Sequence, residues 1–266
     1  MPFATHLDGQ IEYFVEGDGP PLLLIHGTAS DARGMWFDRG YVSALSQNFT
    51  TIAVNGRGYG GSSGVTKLEH LSWALYRDEL LAVLDQLGVS QAAAFGYSRG
   101  GRLAAILAME YPERISALVM GGANLQPNSA FPFRRLSDSR SPLHPRRLAG
   151  VLKRRILRQS RSQSGPDTIW GPVLKEYGMS QQEAERIHID PFLDIERAVH
   201  QITMPTLLFQ GERDAMFALE DSARLVDRLD RAELTVIPGA GHDVIRRPDL
   251  VLPVVEPFLL QRTGRP

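Results

Sequence analysis

Apolar residues along this chain fall into two periods. Short runs bounded by turn residues stand at Phe3–Leu7, Ile11–Val15, Pro21–Ile25, Thr50–Val54, Ala92–Phe95, Ile115–Met120, Met204–Gln210 and Glu233–Ile237, and each predicts a strand. Pro21–Ile25 has no polar break, as expected of a strand covered on both faces. Between these runs the spacing changes to three and four. From Leu68 to Leu87, apolar residues recur at Leu71, Leu75, Leu80, Leu84 and Leu87, with Gly88 as a C-terminal stop, which predicts an amphipathic helix. Further helices are predicted over Arg102–Glu110, Ala218–Leu229 and Pro248–Leu260, and Trp36 and Phe37 fall on another. Strands alternating with helices predict an α/β fold: a mostly parallel central sheet with helices on both faces.

The alternation is interrupted once. From Phe131 to Ser164 ten basic residues, Arg154 and Arg155 among them, face one acid, Asp138; the segment carries +9 and the rest of the chain −10. Leu148, Val151, Leu152 and Ile156 keep helical spacing there, which predicts a basic amphipathic helix. Residues 1–124 and 203–266 are therefore expected to form one core domain, with 125–202 as an inserted, helical and basic cap or lid near the carboxyl ends of the strands. A charged helix face is ordinarily a solvated one. The functional readings are steering of an anionic substrate, docking onto an acidic partner, or contact with a lipid surface.

Composition narrows the classes. At 266 residues and 43% apolar content, one large core is expected. A net charge of −1 argues against a protein that coats nucleic acid. Without cysteine there is no disulfide, thiolate metal site or thiol nucleophile. No leader-like segment and no 18-residue apolar stretch is present, so the expectation is a cytoplasmic protein with no membrane span.

The chemistry concentrates at Gly96-Tyr97-Ser98-Arg99-Gly100, between an apolar strand and an Ala/Leu helix. Read in isolation, a Gly-x-Ser-x-Gly pentapeptide is a flexible loop. In this setting it is a strand, sharp turn and helix that lift the Ser98 hydroxyl above the sheet, and Gly96, Gly100 and Gly101 supply the small positions such a turn needs. The run Pro21–Ile25 ends in His26-Gly27-Thr28; with such a turn, the main-chain N–H groups of Thr28 and Arg99 are the expected oxyanion donors. His26 is read as orienting this loop. The glycine-dense Asn55–Gly64 lacks the Lys-Ser/Thr of a phosphate loop and reads as structural. After the strand ending at Gln210 come Glu212 and Asp214, and Asp214 is the chosen carboxylate with Glu212 as its competitor. His242 follows the strand ending at Ile237. Trp36, Tyr97, Trp170 and Phe217 are candidate pocket-lining residues; Met179 and Phe192 could line a pocket or form the insertion's own core.

The order Ser98, Asp214, His242, each after a predicted strand, together with His26-Gly27, resembles the serine-nucleophile branch of the α/β-hydrolase superfamily over nearly the whole chain. The resemblance implies a Ser-His-Asp triad that cleaves a small carboxylic ester or lactone through an acyl-enzyme, with no metal and no organic cofactor. A serine at position 98, in place of a carboxylate nucleophile, points away from the dehalogenase and epoxide-hydrolase branches. The same three residues could instead cleave a diketone carbon–carbon bond or an amide, or support perhydrolysis. The remaining alternative is a non-catalytic hydrolase-fold protein that binds an acidic partner through the basic insertion.

Overall fold

In the computed structural model, which describes residues 2–28, 30–65, 70, 72–125 and 199–263, the apolar runs become eight strands of one sheet. They are β1 (Phe3–His6), β2 (Gly9–Glu16), β3 (Pro21–Ile25), β4 (Thr50–Val54), β5 (Ala92–Tyr97), β6 (Ile115–Gly121), β7 (Thr206–Gly211) and β8 (Ala232–Ile237). The helices are α1 (Tyr41–Leu45), α2 (Trp73–Gln86), α3 (Arg99–Glu110), α4 (Leu219–Val226) and α5 (Pro248–Thr263).

Because successive side chains of a strand point to opposite faces, the unbroken apolar runs feed two cores. Leu22, Leu24, Ala93, Phe95, Val119 and Phe209 pack with residues of α1 and α5. Leu23, Ile25, Ala94, Leu118, Met120 and Leu208 pack with residues of α2, α3 and α4. The expected mostly parallel sheet with helices on both faces is thus present.

Strand order across the sheet is β1-β2-β4-β3-β5-β6-β7-β8. β1 pairs antiparallel with β2 and β2 antiparallel with β4, while every pair from β4 to β8 is parallel. The strand neighbours of β3 are β4 on one side and β5 on the other, so the chain reverses its direction of travel across the sheet there. Ligands collect at the carboxyl ends of strands beside such a reversal, and the loops after β3 and β5 carry His26–Thr28 and Ser98.

Three boundaries differ from expectation. The helix expected from Leu68 begins at Trp73, because Ser72 caps it: its side chain accepts from the Leu75 N–H at 3.1 Å. The helix expected from Ala218 to Leu229 spans only Leu219–Val226, and the elbow helix starts three residues early, at Arg99. α5 forms despite Pro253 and Pro257 within it, since burial of Val251, Val255, Phe258 and Leu259 outweighs the missing donors.

The glycine-dense loop is indeed structural. The Gly61 N–H and the Asn55 amide both donate to Glu12 Oε2, at 2.7 and 2.6 Å. A Cβ at Gly60 or Gly61 would strike Glu12 or Asn55, so the loop closes over a carboxylate of its own chain where a phosphate loop would hold a ligand. The greater part of the inserted segment, with Trp170, Met179, Phe192 and the basic run, lies outside the described residues. Among the described residues, no helix is long and apolar enough to cross a membrane.

Candidate active site

Ser98 sits between β5 and α3 with φ 54° and ψ −119°. A non-glycine residue in this region is strained by order 1–3 kcal/mol and persists only where its surroundings fix it. They do so through close backbone approach. A Cβ on Gly96 would lie 2.1 Å from the Gly100 oxygen, and one on Gly100 would lie 2.2 Å from the Ile25 oxygen. The Ser98 N–H donates to the Gly121 oxygen at 2.8 Å, tying the turn to β6.

His242 approaches Ser98 from the loop after β8. Its Nε2 is 3.1 Å from Ser98 Oγ, and its Nδ1 is 2.8 Å from Asp214 Oδ2. With Nδ1 turned to the carboxylate, Nε2 is the nitrogen that faces the serine hydroxyl. The Asp214 side chain is fully buried; its Oδ1 accepts from the N–H groups of Met216 at 2.8 Å and Phe217 at 3.1 Å. The three side chains chosen from the sequence therefore stand in one hydrogen-bonded row. Glu212, the competing carboxylate, instead accepts from the Gly239 N–H at 2.7 Å. With the Arg213 N–H donating to the Ala240 oxygen at 2.8 Å, it joins the loop of Asp214 to that of His242.

The expected amide donors belong to the two loops that meet at the elbow. Arg99 opens α3, and the first N–H groups of a helix have no acceptor within it. Gly27 lies against the elbow, its Cβ position 3.3 Å from Ser98 Cβ. His26 holds that loop from behind: Nδ1 donates to the Gly27 oxygen at 2.8 Å, and Nε2 accepts from the Gly56 N–H at 3.2 Å. Complete burial pushes its pKa down to about 4, so the ring is neutral and orients the loop, as expected. Tyr59 adds a second restraint, its hydroxyl donating to the Thr28 oxygen at 2.9 Å.

Trp36, expected as a pocket-lining residue, is instead a core residue. The helical turn Arg33–Phe37 directs its ring inward, fully buried, 4.9 Å from the ring centre of Phe95 and 5.5 Å from that of Tyr41. Tyr97 and Phe217, expected in the same role, are buried against the imidazole, with ring centres 5.7 and 5.5 Å from that of His242. The Tyr97 hydroxyl donates to the His242 backbone oxygen. Gln210 holds Phe217 in turn, donating to its oxygen at 2.6 Å and accepting from Ser222 Oγ at 2.5 Å. Trp170 lies outside the described residues.

Sequence reasoning misses Tyr59 and Gln210. Neither interrupts a hydrophobic period, and the oxygens they hold, those of Thr28 and Phe217, are main-chain atoms distant in the chain or hidden in a turn. Among the described residues, no group of three or more His, Cys, Asp or Glu side chains is placed to hold a metal ion.

The chain has counterparts among known proteins. Residues 20–165, more than half of the chain, match the model of a family described as the alpha/beta hydrolase fold. The chain is 28% identical over 235 residues to a 2-hydroxymuconate semialdehyde hydrolase of Pseudomonas sp. strain CF600, covering 85% of this chain and 81% of the relative. It is 25% identical over 249 residues to a pimeloyl-[acyl-carrier protein] methyl ester esterase of Nitrosospira multiformis, covering 88% and 92%. Among solved structures, a meta-cleavage product hydrolase of Pseudomonas fluorescens IP01 superposes with a TM-score of 0.72 at 22% identity, covering 98% of each chain.

Proposed function

Since the chain belongs to the alpha/beta hydrolase fold family, we propose that it is a serine hydrolase that cleaves a carboxylic ester or lactone, with Ser98, His242 and Asp214 as its catalytic residues. The observation that carries this reading is the row Ser98 Oγ, His242 Nε2, His242 Nδ1, Asp214 Oδ2, with contacts of 3.1 and 2.8 Å. A free hydroxyl is a poor nucleophile, and this row gives it a base whose tautomer is fixed.

Ser98 Oγ attacks the acyl carbon while its proton passes to His242 Nε2. Asp214 stabilises the imidazolium, and the Thr28 and Arg99 amides hold the oxyanion. The tetrahedral intermediate then collapses. The bond to the leaving alkoxide breaks, and His242 returns the proton to it. Water, deprotonated by His242, attacks the acyl-enzyme; the bond to Ser98 Oγ then breaks, His242 returns the proton to Oγ, and the acid is released. Removing one amide donor from such a site typically costs about a hundredfold or more in rate. No metal or organic cofactor enters these steps.

Residues 1–124 and 203–266 form the core that carries these groups in this reading, and 125–202 is a cap inserted into it. The substrate is a small molecule, anionic if the basic run of the insertion faces it. The protein works in the cytoplasm without nucleic acid.

A second reading uses the same residues on a carbon–carbon bond. The likeness to the 2-hydroxymuconate semialdehyde hydrolase supports it, whereas the likeness to the methyl ester esterase supports ester cleavage. A substrate panel separates the two: 4-nitrophenyl esters of increasing acyl length, a lactone, an anilide and a dienoate diketone. Ester cleavage is expected to dominate and to be lost in Ser98→Ala. Turnover of the diketone alone favours the second reading, and full ester turnover by Ser98→Ala overturns both.

A further inference from the structure

Behind the elbow, between the sheet and α2, lies a small cavity whose polar wall is made by His26, Gly56, Tyr76, Glu79 and Arg99, the remainder being aliphatic. The Arg99 side chain enters it. Its guanidinium carbon stands 4.1 Å from the ring centre of Tyr76 and 5.6 Å from that of Trp73. Its Nε and Nη2 are buried and have no hydrogen-bond acceptor among the described residues. Glu79 faces the same space, 1% exposed; Oε1 accepts from Arg57 Nε at 2.7 Å, while Oε2 is buried without a donor among the described residues. Arg57 continues the row outward to Asp8 at 3.3 Å. Buried charges of this kind are retained only where they compensate one another.

The cavity touches the backs of both loops that carry the proposed oxyanion donors. One is His26-Gly27-Thr28, held by the neutral His26 ring. The other is Ser98-Arg99, whose strained turn needs restraint from its surroundings. The first side chain after that turn is the one stacked on Tyr76.

We propose that the Arg99 side chain is a positioning residue for the oxyanion pocket. Its guanidinium, seated on the Tyr76 face and opposite the Glu79 carboxylate, fixes the first turn of α3 and so aims the Arg99 N–H at the developing charge. A desolvated cation over an aromatic face is held more strongly than an exposed one, and it also disfavours a second cation on His26. The inference rests on the proposed function, because an amide direction matters to rate only if that amide meets an oxyanion. Misaiming a donor weakens a contact made chiefly in the transition state, so the loss falls on kcat and not on KM.

The test uses the full chain with 4-nitrophenyl butyrate, kinetics and thermal unfolding measured together. Arg99→Met and Tyr76→Leu are expected to lower kcat by roughly 10- to 100-fold with KM within about twofold. Arg99→Lys, which keeps a cation over the ring, is expected to recover most of the loss. Should Arg99→Met fold poorly because Glu79 is left with Arg57 as its one cationic partner in the row, the double variant Arg99→Met with Glu79→Gln removes both charges facing the cavity, and its kcat is expected to stay low. An active wild type beside an Arg99→Met with unchanged kcat, a Lys variant no better than Met, or a double variant with wild-type kcat overturns the inference and leaves the proposed function standing. A wild type inert to the ester and to a fluorophosphonate overturns the function, and the inference with it.

Discussion

The hydroxyl of Tyr97 donates to the backbone oxygen of His242, so the last residue of β5 holds the loop whose imidazole meets the next residue, Ser98. Donor and acceptor are 145 residues apart in sequence. The ring of Tyr97 also closes the space above Gly122, where a Cβ would lie 2.9 Å from the hydroxyl. Tyr97→Phe keeps the ring and removes the bond. A loss of about 1 kcal/mol in stability is expected, with a severalfold fall in kcat and an unchanged KM; denaturant unfolding and ester kinetics on the same preparation check both. An unchanged kcat would make the contact structural only.

The elbow tolerates no side chain at Gly100. Its Cβ would stand 2.2 Å from the Ile25 oxygen and 2.6 Å from the His26 oxygen, both main-chain atoms that cannot rotate away. Gly100→Ala is therefore expected to cost at least about 3 kcal/mol and to abolish turnover, whereas Gly64→Ala, with open space at its Cβ position, is expected to change stability by less than about 1 kcal/mol. Thermal unfolding of the pair decides this.

His26 is expected to make the protein less stable in acid. Its folded pKa of about 4 lies below the ordinary 6.5, so between these values the unfolded chain binds the proton that the folded chain refuses. Stability is complete above pH 6.5 and falls as the pH drops towards 4, by at most about 3 kcal/mol from this group. Urea unfolding from pH 7 to 4 should show that slope, and His26→Gln, less stable at pH 7, should show a shallower one. Parallel slopes would contradict the assignment.

The basic run allows a test of substrate charge. With Arg154 and Arg155 both replaced by Gln, kcat/KM for an anionic ester is expected to fall more than for a neutral one, and the gap should shrink as salt rises. Equal effects on both esters return these arginines to a solvated face.

The sequence carries those parts of the site that depend on local chemistry. Ser98, Asp214 and His242 are legible because each follows an apolar run and sits among residues whose conformational needs are specific, such as Gly96 and Gly100. Features that depend on which way a side chain turns are not legible. Trp36 has the composition of a pocket wall, but its helical turn faces the core beside Phe95. Tyr97 and Phe217 have the composition of lining, and their packing against the His242 ring has no sequence signal. Glu79 reads as the polar face of an amphipathic helix, yet it is buried with Arg57, a pairing that no periodicity encodes. Ser72 is an ordinary capping residue, but the leucines before it extend the helical pattern past the true start of α2.

In the proposed reading, one hydroxyl in this protein is made reactive by its neighbours. The direct measurement is peptide mass mapping after treatment with a fluorophosphonate. The account predicts a single adduct on Ser98, formed at a rate that collapses in His242→Ala although Ser98 remains. An adduct on any other residue, or labelling of Ser98 at the same rate without His242, would contradict it.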